Sequence, residues 1–336
     1  MNEEKYKNYQ YSGGLSALCE NFIKEKSAVG YIYNTEAKKL SEFSRFSLSF
    51  EYPENTLTKE VVQAWISKKT TDSDRNQYAR FSLISQFANY MKRIGCPAYI
   101  PDRTEIGKLH KTFIPYIFTH QQIRDFFTAV DSLKLSAHSV ALRRHLIMPV
   151  LFRMLYCCGL RASEATHLHG NDVDLDNGVL TIRDSKFGKS RYVPMSDELT
   201  AKCAEYAEIR LVGHDKNDWF FASIDGGYYN TRSIYGIFRE TLWKAGISHG
   251  GRGKGPWLHD LRHTFAVHSI QNRIADGGDP TVMLPKLSAY LGHNNLSATE
   301  QYFRMTAEIY PELAELLQNT YGYIIPVQEV NLNAGN

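Results

Sequence analysis

Residues 173–193 read VDLDNGVLTIRDSKFGKSRYV, a texture that differs from the sequence on either side. Val173 and Leu175, then Val179, Leu180 and Ile182, then Tyr192 and Val193 form short runs rich in strand-favouring residues. Asp176-Asn177-Gly178 separates the first two runs and Phe187-Gly188-Lys189-Ser190 the last two, and both are turn sequences. The stretch predicts a three-stranded antiparallel meander. Around it apolar residues recur at helical spacing, so the expected fold class is mainly α with a small antiparallel β-sheet (α+β).

Working outward, Ser196 with Asp197 and Glu198 predicts a capped helix start with an acidic first turn. A helix over about 232–245 carries Ile234, Phe238 and Leu242 on one face and stops at Gly246. On the other side, Leu146 to Leu155 is apolar almost all round, as a helix inside a core should be, and Cys157 and Cys158 at its end read as small core residues. Thr119 is the N-cap expected for the helix before it. Gly95, Pro97, Pro101, Gly107 and Pro115 break the pattern upstream. The first hundred residues are helical again, with Leu15, Leu18, Phe22 and Ile23, then Phe81, Ile84, Phe87, Ala88 and Met91, at helical spacing. Arg75, Arg80, Lys92 and Arg93 surround the latter stripe, which suits a helix facing an anion or a solvated face. The expected division is a helical domain over 1–105, a linker over 106–115, a second domain over 116–325 and a tail over 326–336.

A chain of 336 residues can bury two cores, and 43% hydrophobic with 22% charged residues is a globular composition. No apolar run approaches the roughly 20 residues of a membrane span, and Met1 to Gln10 lacks the apolar centre of a secretory signal. Five cysteines without a C-x-x-C pair argue against a disulfide framework or a structural zinc site, so a cytoplasmic protein is expected. A net charge of +3 leaves nucleic acid open as a partner without arguing for it.

Five segments in the second domain carry chemistry: Gly159-Leu160-Arg161-Ala162-Ser163-Glu164, Ser185-Lys186-Phe187-Gly188-Lys189, His259-Asp260-Leu261-Arg262-His263-Thr264, Leu291-Gly292-His293, and Ser297-Ala298-Thr299-Glu300-Gln301-Tyr302. Each alone is weak, Tyr302 being one of 21 tyrosines. Together, in this order and with Tyr302 nine positions after His293, they resemble the signature of the tyrosine recombinases, the phage-integrase type of DNA strand-transfer enzyme. The resemblance covers essentially the second domain. It implies a tyrosine-recombinase catalytic domain behind a helical core-binding domain that clamps the far side of the duplex. It also implies a double-stranded DNA recombination site as partner, a homo-tetramer in the synaptic complex, accessory DNA-bending proteins as optional partners, and a place at the prokaryotic nucleoid, serving a mobile element.

The residue types suit that reaction. A five-coordinate phosphate spreads negative charge over its non-bridging oxygens, and guanidiniums present paired donors to them at any working pH. Arg161 and Arg262 are the candidates for this role, with His293 as a further donor. A phenol with a pKa of about 10 needs a proton acceptor, and His259 is the natural one for Tyr302. The resemblance gives the proton for the departing 5′ oxygen to Lys186, with Lys189 as a rival, and it makes the product a 3′-phosphotyrosyl ester. Glu164 is expected to orient the histidine or the arginine, and neither cofactor nor metal is expected. Ser297 with Glu300 forms a capping-box pattern that puts Tyr302 near a helix start.

Two other readings exist. His259 and His263, four apart, have the spacing of a zinc pair, with His167 and His169 as a second pair, which would suit a metallohydrolase. On the tyrosine-recombinase resemblance His263 becomes a residue that packs or that supports a site residue from behind, and His167 and His169 lie in a helix-to-strand connection. The other alternative is a DNA-binding module that has lost activity. Arg143-Arg144, Arg183 to Arg191 and Gly250 to Arg262 concentrate basic charge beside the proposed site. Gln271 to Pro285 reads as a long irregular spacer, and Leu313, Leu316 and Leu317 as the stripe of a last helix that relatives dock on a neighbouring subunit.

Overall fold

The computed structural model describes residues 9–108, 114–134, 143–183, 190–210, 215–223, 225–251, 255–293 and 296–310. Lys186, Lys189 and the leucines from 313 onward lie outside the described residues. The chain divides into two compact units between Phe113 and Ile114.

The first unit is helical: α1 (Ser16–Ala28), α2 (Asn34–Ser47), α3 (Lys59–Ile66) and α4 (Asp74–Arg93). Ser73 caps α4 by accepting the Asn76 N–H, and Phe81, Ile84, Phe87, Ala88 and Met91 form the expected stripe, all buried. They pack with Phe22 of α1, Phe43 of α2 and Trp65 of α3. Each large apolar side chain so buried contributes roughly 1.5–3 kcal/mol. The basic residues of α4 do not share an outward face. Arg80 is buried, donates to the Trp65 and Ser67 carbonyls and pairs with Asp72 at 2.6 Å, so it anchors the α3–α4 loop. Arg93 pairs with Glu25 of α1.

The second unit begins with α5 (His120–Asp131), whose cap is Thr119 in a capping box with Gln122, and α6 (Arg144–Cys157). Ile147, Met148, Val150, Leu151, Phe152, Met154 and Leu155 are all buried, so α6 is the central helix of this core. Cys158 belongs to the core, whereas Cys157 faces outward, because consecutive helical positions point about 100° apart. The short α7 (Ala162–Thr166) follows. His167 and His169 then lie in the connection to the sheet of β1 (Val173–Asp174), β2 (Val179–Ile182) and β3 (Arg191–Pro194). The order is β1-β2-β3, both pairs antiparallel, with Leu180 opposite Val173 and Val193, and Ile182 opposite Arg191. Asp174 accepts the N–H groups of Asp176 and Asn177, which closes the first turn. Leu180, Ile182 and Val193 share the inner face.

Next come α8 (Asp197–Arg210), α9 (Thr231–Lys244), α10 (Asp260–Ala275), α11 (Pro280–Leu291) and α12 (Ser297–Ile309). The spacer after His259-x-x-Arg262 is two helices joined by a short turn, not an irregular segment. Pro280 stands at the first position of α11, where the missing N–H costs nothing. Leu296, not Ser297, occupies the cap position of α12, so the capping box is not formed as read and Tyr302 sits in the second turn. Ala266, Val267 and Ile270 of α10 pack with Leu284, Leu287 and Leu291 of α11 and with Tyr302 and Phe303 of α12.

Candidate active site

Two helix ends build the floor of the site. After α6, Gly159 turns the chain with φ of +57°, and a Cβ there would overlap the Phe265 ring. The turn delivers Arg161 to the start of α7, where its backbone N–H donates to Glu164 Oε2 at 2.9 Å. After α11, Gly292 takes φ of +66°; its N–H donates to Ala289 O and that of His293 to Ser288 O. This Schellman ending leaves the carbonyls of Tyr290, Leu291 and Gly292 without helical partners.

Three guanidiniums fill those vacancies. Arg191 Nε donates to Tyr290 O at 2.8 Å, Arg262 Nη2 to Leu291 O at 2.6 Å, and Arg161 Nη2 to Gly292 O at 3.3 Å. A helix C-terminus carries partial negative charge, which favours cations there. Arg262 also donates to Gly159 O at 2.6 Å, so it ties both helix ends together. Burial first, then Arg161, lowers its pKa to about 10, which still leaves it cationic at neutral pH.

Glu164 is the carboxylate of the cluster. It pairs with Arg161 at 2.6 Å, receives both terminal nitrogens of Arg191 at 2.9 Å each, and lies 3.9 Å from Arg262. Burial would raise its pKa, but the hydrogen bonds and charge of Arg191, with help from Arg161, hold it at about 2. Glu164 therefore orients arginines.

Tyr302 faces this cluster from α12 and is 4% exposed. Its Oη lies 2.9 Å from Nδ1 of His263, one turn into α10. Burial raises the Tyr302 pKa, and the facing Arg262, then Arg161, oppose the rise. Burial, then His259 and Arg262, hold His263 down to about 3, so its imidazole is neutral at neutral pH. The residue read as packing or supporting is thus the one against the hydroxyl. His259, the expected acceptor, is exposed at the start of α10, with its ring edge-on to His263 at 4.7 Å between centroids. His293 stacks on Tyr302 at 5.9 Å, and its Nδ1 lies 2.7 Å from Thr299 Oγ1. Burial, then Arg262 and Arg161, keep it neutral, with a pKa of about 4. Beneath the site, Asp260 is fully buried and accepts the Trp257 N–H at 2.7 Å; burial lifts its pKa to about 6.

Arg161, Glu164, Arg262, His293 and Tyr302 therefore meet in one place, with His263 and Arg191 added and His259 at the rim. Arg191 was hidden in a basic run, yet one signal pointed to it: two residues before the inward Val193, it occupies an inward strand position. Among the described residues no group of three His, Cys, Asp or Glu side chains converges as metal ligands.

The chain is similar along 90% of its length to y4rB of Sinorhizobium fredii, which carries an integrase/recombinase name, with 27% identity over 305 residues that cover 96% of that protein. It is 27% identical over 227 residues to the tyrosine recombinase XerA of Pyrococcus furiosus, covering 66% of this chain and 69% of that one. The fold matches the XerH site-specific recombinase bound to a palindromic difH substrate in a post-cleavage complex, with a TM-score of 0.64 and 20% identity over 94% of this chain and 92% of that one. A model of the phage integrase family matches residues 117–308, more than half of the chain and every described part of the site. With four of its five signature segments meeting in one cationic site around Tyr302, the chain belongs to the phage integrase family, the tyrosine recombinases.

Proposed function

We propose that Tyr302 is the nucleophile with which this site-specific recombinase cuts and rejoins DNA. The observation that carries this reading is a buried phenol held against a neutral imidazole, beside three guanidiniums that share the Glu164 carboxylate. A phosphodiester placed there meets positive charge prearranged for its non-bridging oxygens. The Tyr302 oxygen attacks phosphorus, its proton passes to an imidazole, and the bond from phosphorus to the 5′ oxygen breaks. The geometry favours His263 over His259 as first acceptor, which leaves His259 and His293 to face the phosphate. The departing oxygen takes its proton from Lys186 or Lys189. The resulting 3′-phosphotyrosyl ester conserves the bond energy, so a 5′ hydroxyl of another strand reverses the step without ATP.

In this reading residues 1–105 clamp the far side of a DNA duplex, 116–325 carry the chemistry, and four copies meet in the synaptic complex, with or without DNA-bending proteins. The integrase names among the relatives support service to a mobile element and a place on cytoplasmic DNA. No described helix is long and apolar enough to cross a membrane.

The test uses a duplex selected for binding from a randomised pool, with nicks placed through its centre to trap the cut state. The wild-type chain should form a detergent-stable adduct, and Tyr302→Phe should form none. An adduct that survives Tyr302→Phe refutes the nucleophile. A tightly bound duplex that is never cut by the wild-type chain points instead to a DNA-binding module without activity.

A further inference from the structure

We infer that Arg191 is a positioning residue that sets the charge of the site: by occupying Glu164 it keeps that carboxylate from neutralising Arg161. The inference rests on the reading of Arg161 and Arg262 as the phosphate-binding pair. Arg191 stands at the start of β3, where register places it opposite Ile182 of β2. Its side chain is only 11% exposed, and the partners it has among the described residues are internal. Nη1 and Nη2 take the two oxygens of Glu164 in a fork, and Nε takes the Tyr290 carbonyl.

Glu164 has two tasks that conflict. Its Oε1 holds the Arg161 guanidinium at 2.6 Å and its Oε2 caps the Arg161 backbone N–H. A carboxylate dedicated to Arg161 alone would cancel the charge that the phosphate has to meet. The bidentate Arg191 fork shares that carboxylate, so Glu164 keeps its grip on Arg161 while the cluster stays cationic. Gly292 belongs to the same device. A Cβ there would sit 3.1 Å from Arg191 Nη1, so the glycine leaves the guanidinium room to reach past the turn.

The experiment measures the first-order rate of adduct formation by the full chain on the selected, nicked duplex, at saturating protein and well below the melting temperature. Arg191→Ala should slow the rate by about 100-fold with duplex affinity nearly unchanged. Adding Glu164→Gln to Arg191→Ala should recover about tenfold or more of that loss, because the carboxylate no longer cancels Arg161. On a duplex with an uncharged methylphosphonate at the scissile position, the Arg191→Ala penalty should shrink at least about tenfold, since less charge has to be met. Equal penalties on the two duplexes, or a double variant no faster than Arg191→Ala, would overturn the charge role and make Arg191 a packing residue. Should Arg191→Ala not fold, Arg191→Lys carries the same comparison: it keeps the cation without the fork, and its rate should stay within about tenfold of wild type. A wild-type chain that forms no adduct at all would refute the recombinase reading of Tyr302, a separate result from any of these.

Discussion

Arg80 in the first unit and Arg262 in the second are both buried, and both spend their donors on backbone carbonyls. They differ in what balances the charge. Arg80 pairs with Asp72 at 2.6 Å, and that hydrogen bond, against the opposing burial and with help from the Lys69 N–H, lowers the Asp72 pKa. The carboxylate nearest Arg262 is 3.9 Å away and already shared by Arg161 and Arg191. Burying a cation is costly unless an anion accompanies it. A buried arginine with its own carboxylate is explained by the fold, whereas guanidiniums that among the described residues share one carboxylate suit an incoming anion. The two arginines teach how to separate structure from function within one chain: count the charge that remains after every internal partner is paired.

The largest effect should come from breaking the second member. Arg262→Gln should lower adduct formation per folded molecule by about 100–1,000-fold, while relief of the repulsion from Arg161 and Arg191 offsets part of the stability lost with the bonds to Gly159 O and Leu291 O. A loss of stability matching the loss of rate would place Arg262 in the same class as Arg80. The reverse substitution sharpens the contrast. Arg80→Gln takes the guanidinium from Asp72, leaving it the Lys69 N–H, and should cost about 3 kcal/mol by urea unfolding, with the cutting rate per folded molecule unchanged. Combining Arg80→Met with Asp72→Leu should recover most of that stability; failure to recover would show that the carbonyl bonds, not the pair, matter.

The smallest effect is a pH dependence confined to the second unit. His263, His268 and His293 are held to about 3, 4 and 4, below the ordinary 6.5, by burial first and then by neighbouring cationic or histidine groups. The unfolded chain therefore takes up protons before the folded one does. Their contribution to stability is complete above about pH 6.5 and is lost as pH falls toward 4. Urea midpoints compared at about pH 7.5 and about pH 5 should fall in the wild-type chain and fall less in His263→Phe. Equal declines would remove His263 from the account.

Much of this was legible from residues alone. The apolar wrap of α6, the cap at Thr119, the glycine stop after α9 and the first turn of the meander are local signals, and each stands where its pattern put it. Two things were not local. Arg191 looked like one more solvated charge because its inward position depends on β2–β3 register, and its use depends on a carbonyl 99 residues away. His263 had only a packing or supporting role from its pattern, because the docking of α12 on α10 is what brings it to Tyr302, 39 residues on. The helix α11 was obscured by its two prolines, since composition argued for a loop where position allowed a helix. Lys186 keeps its candidacy from the sequence alone.

The last turn of α11 has a mechanical consequence. Side chains from β3, from the α6–α7 junction and from α10 are all bolted to three successive peptide groups, Tyr290, Leu291 and Gly292. They share one mount. A small rotation of that turn does not misplace one guanidinium and spare the others; it shifts the whole set in common. Alignment at this site is consequently held in common, and a change at that one turn reaches all three guanidiniums at once.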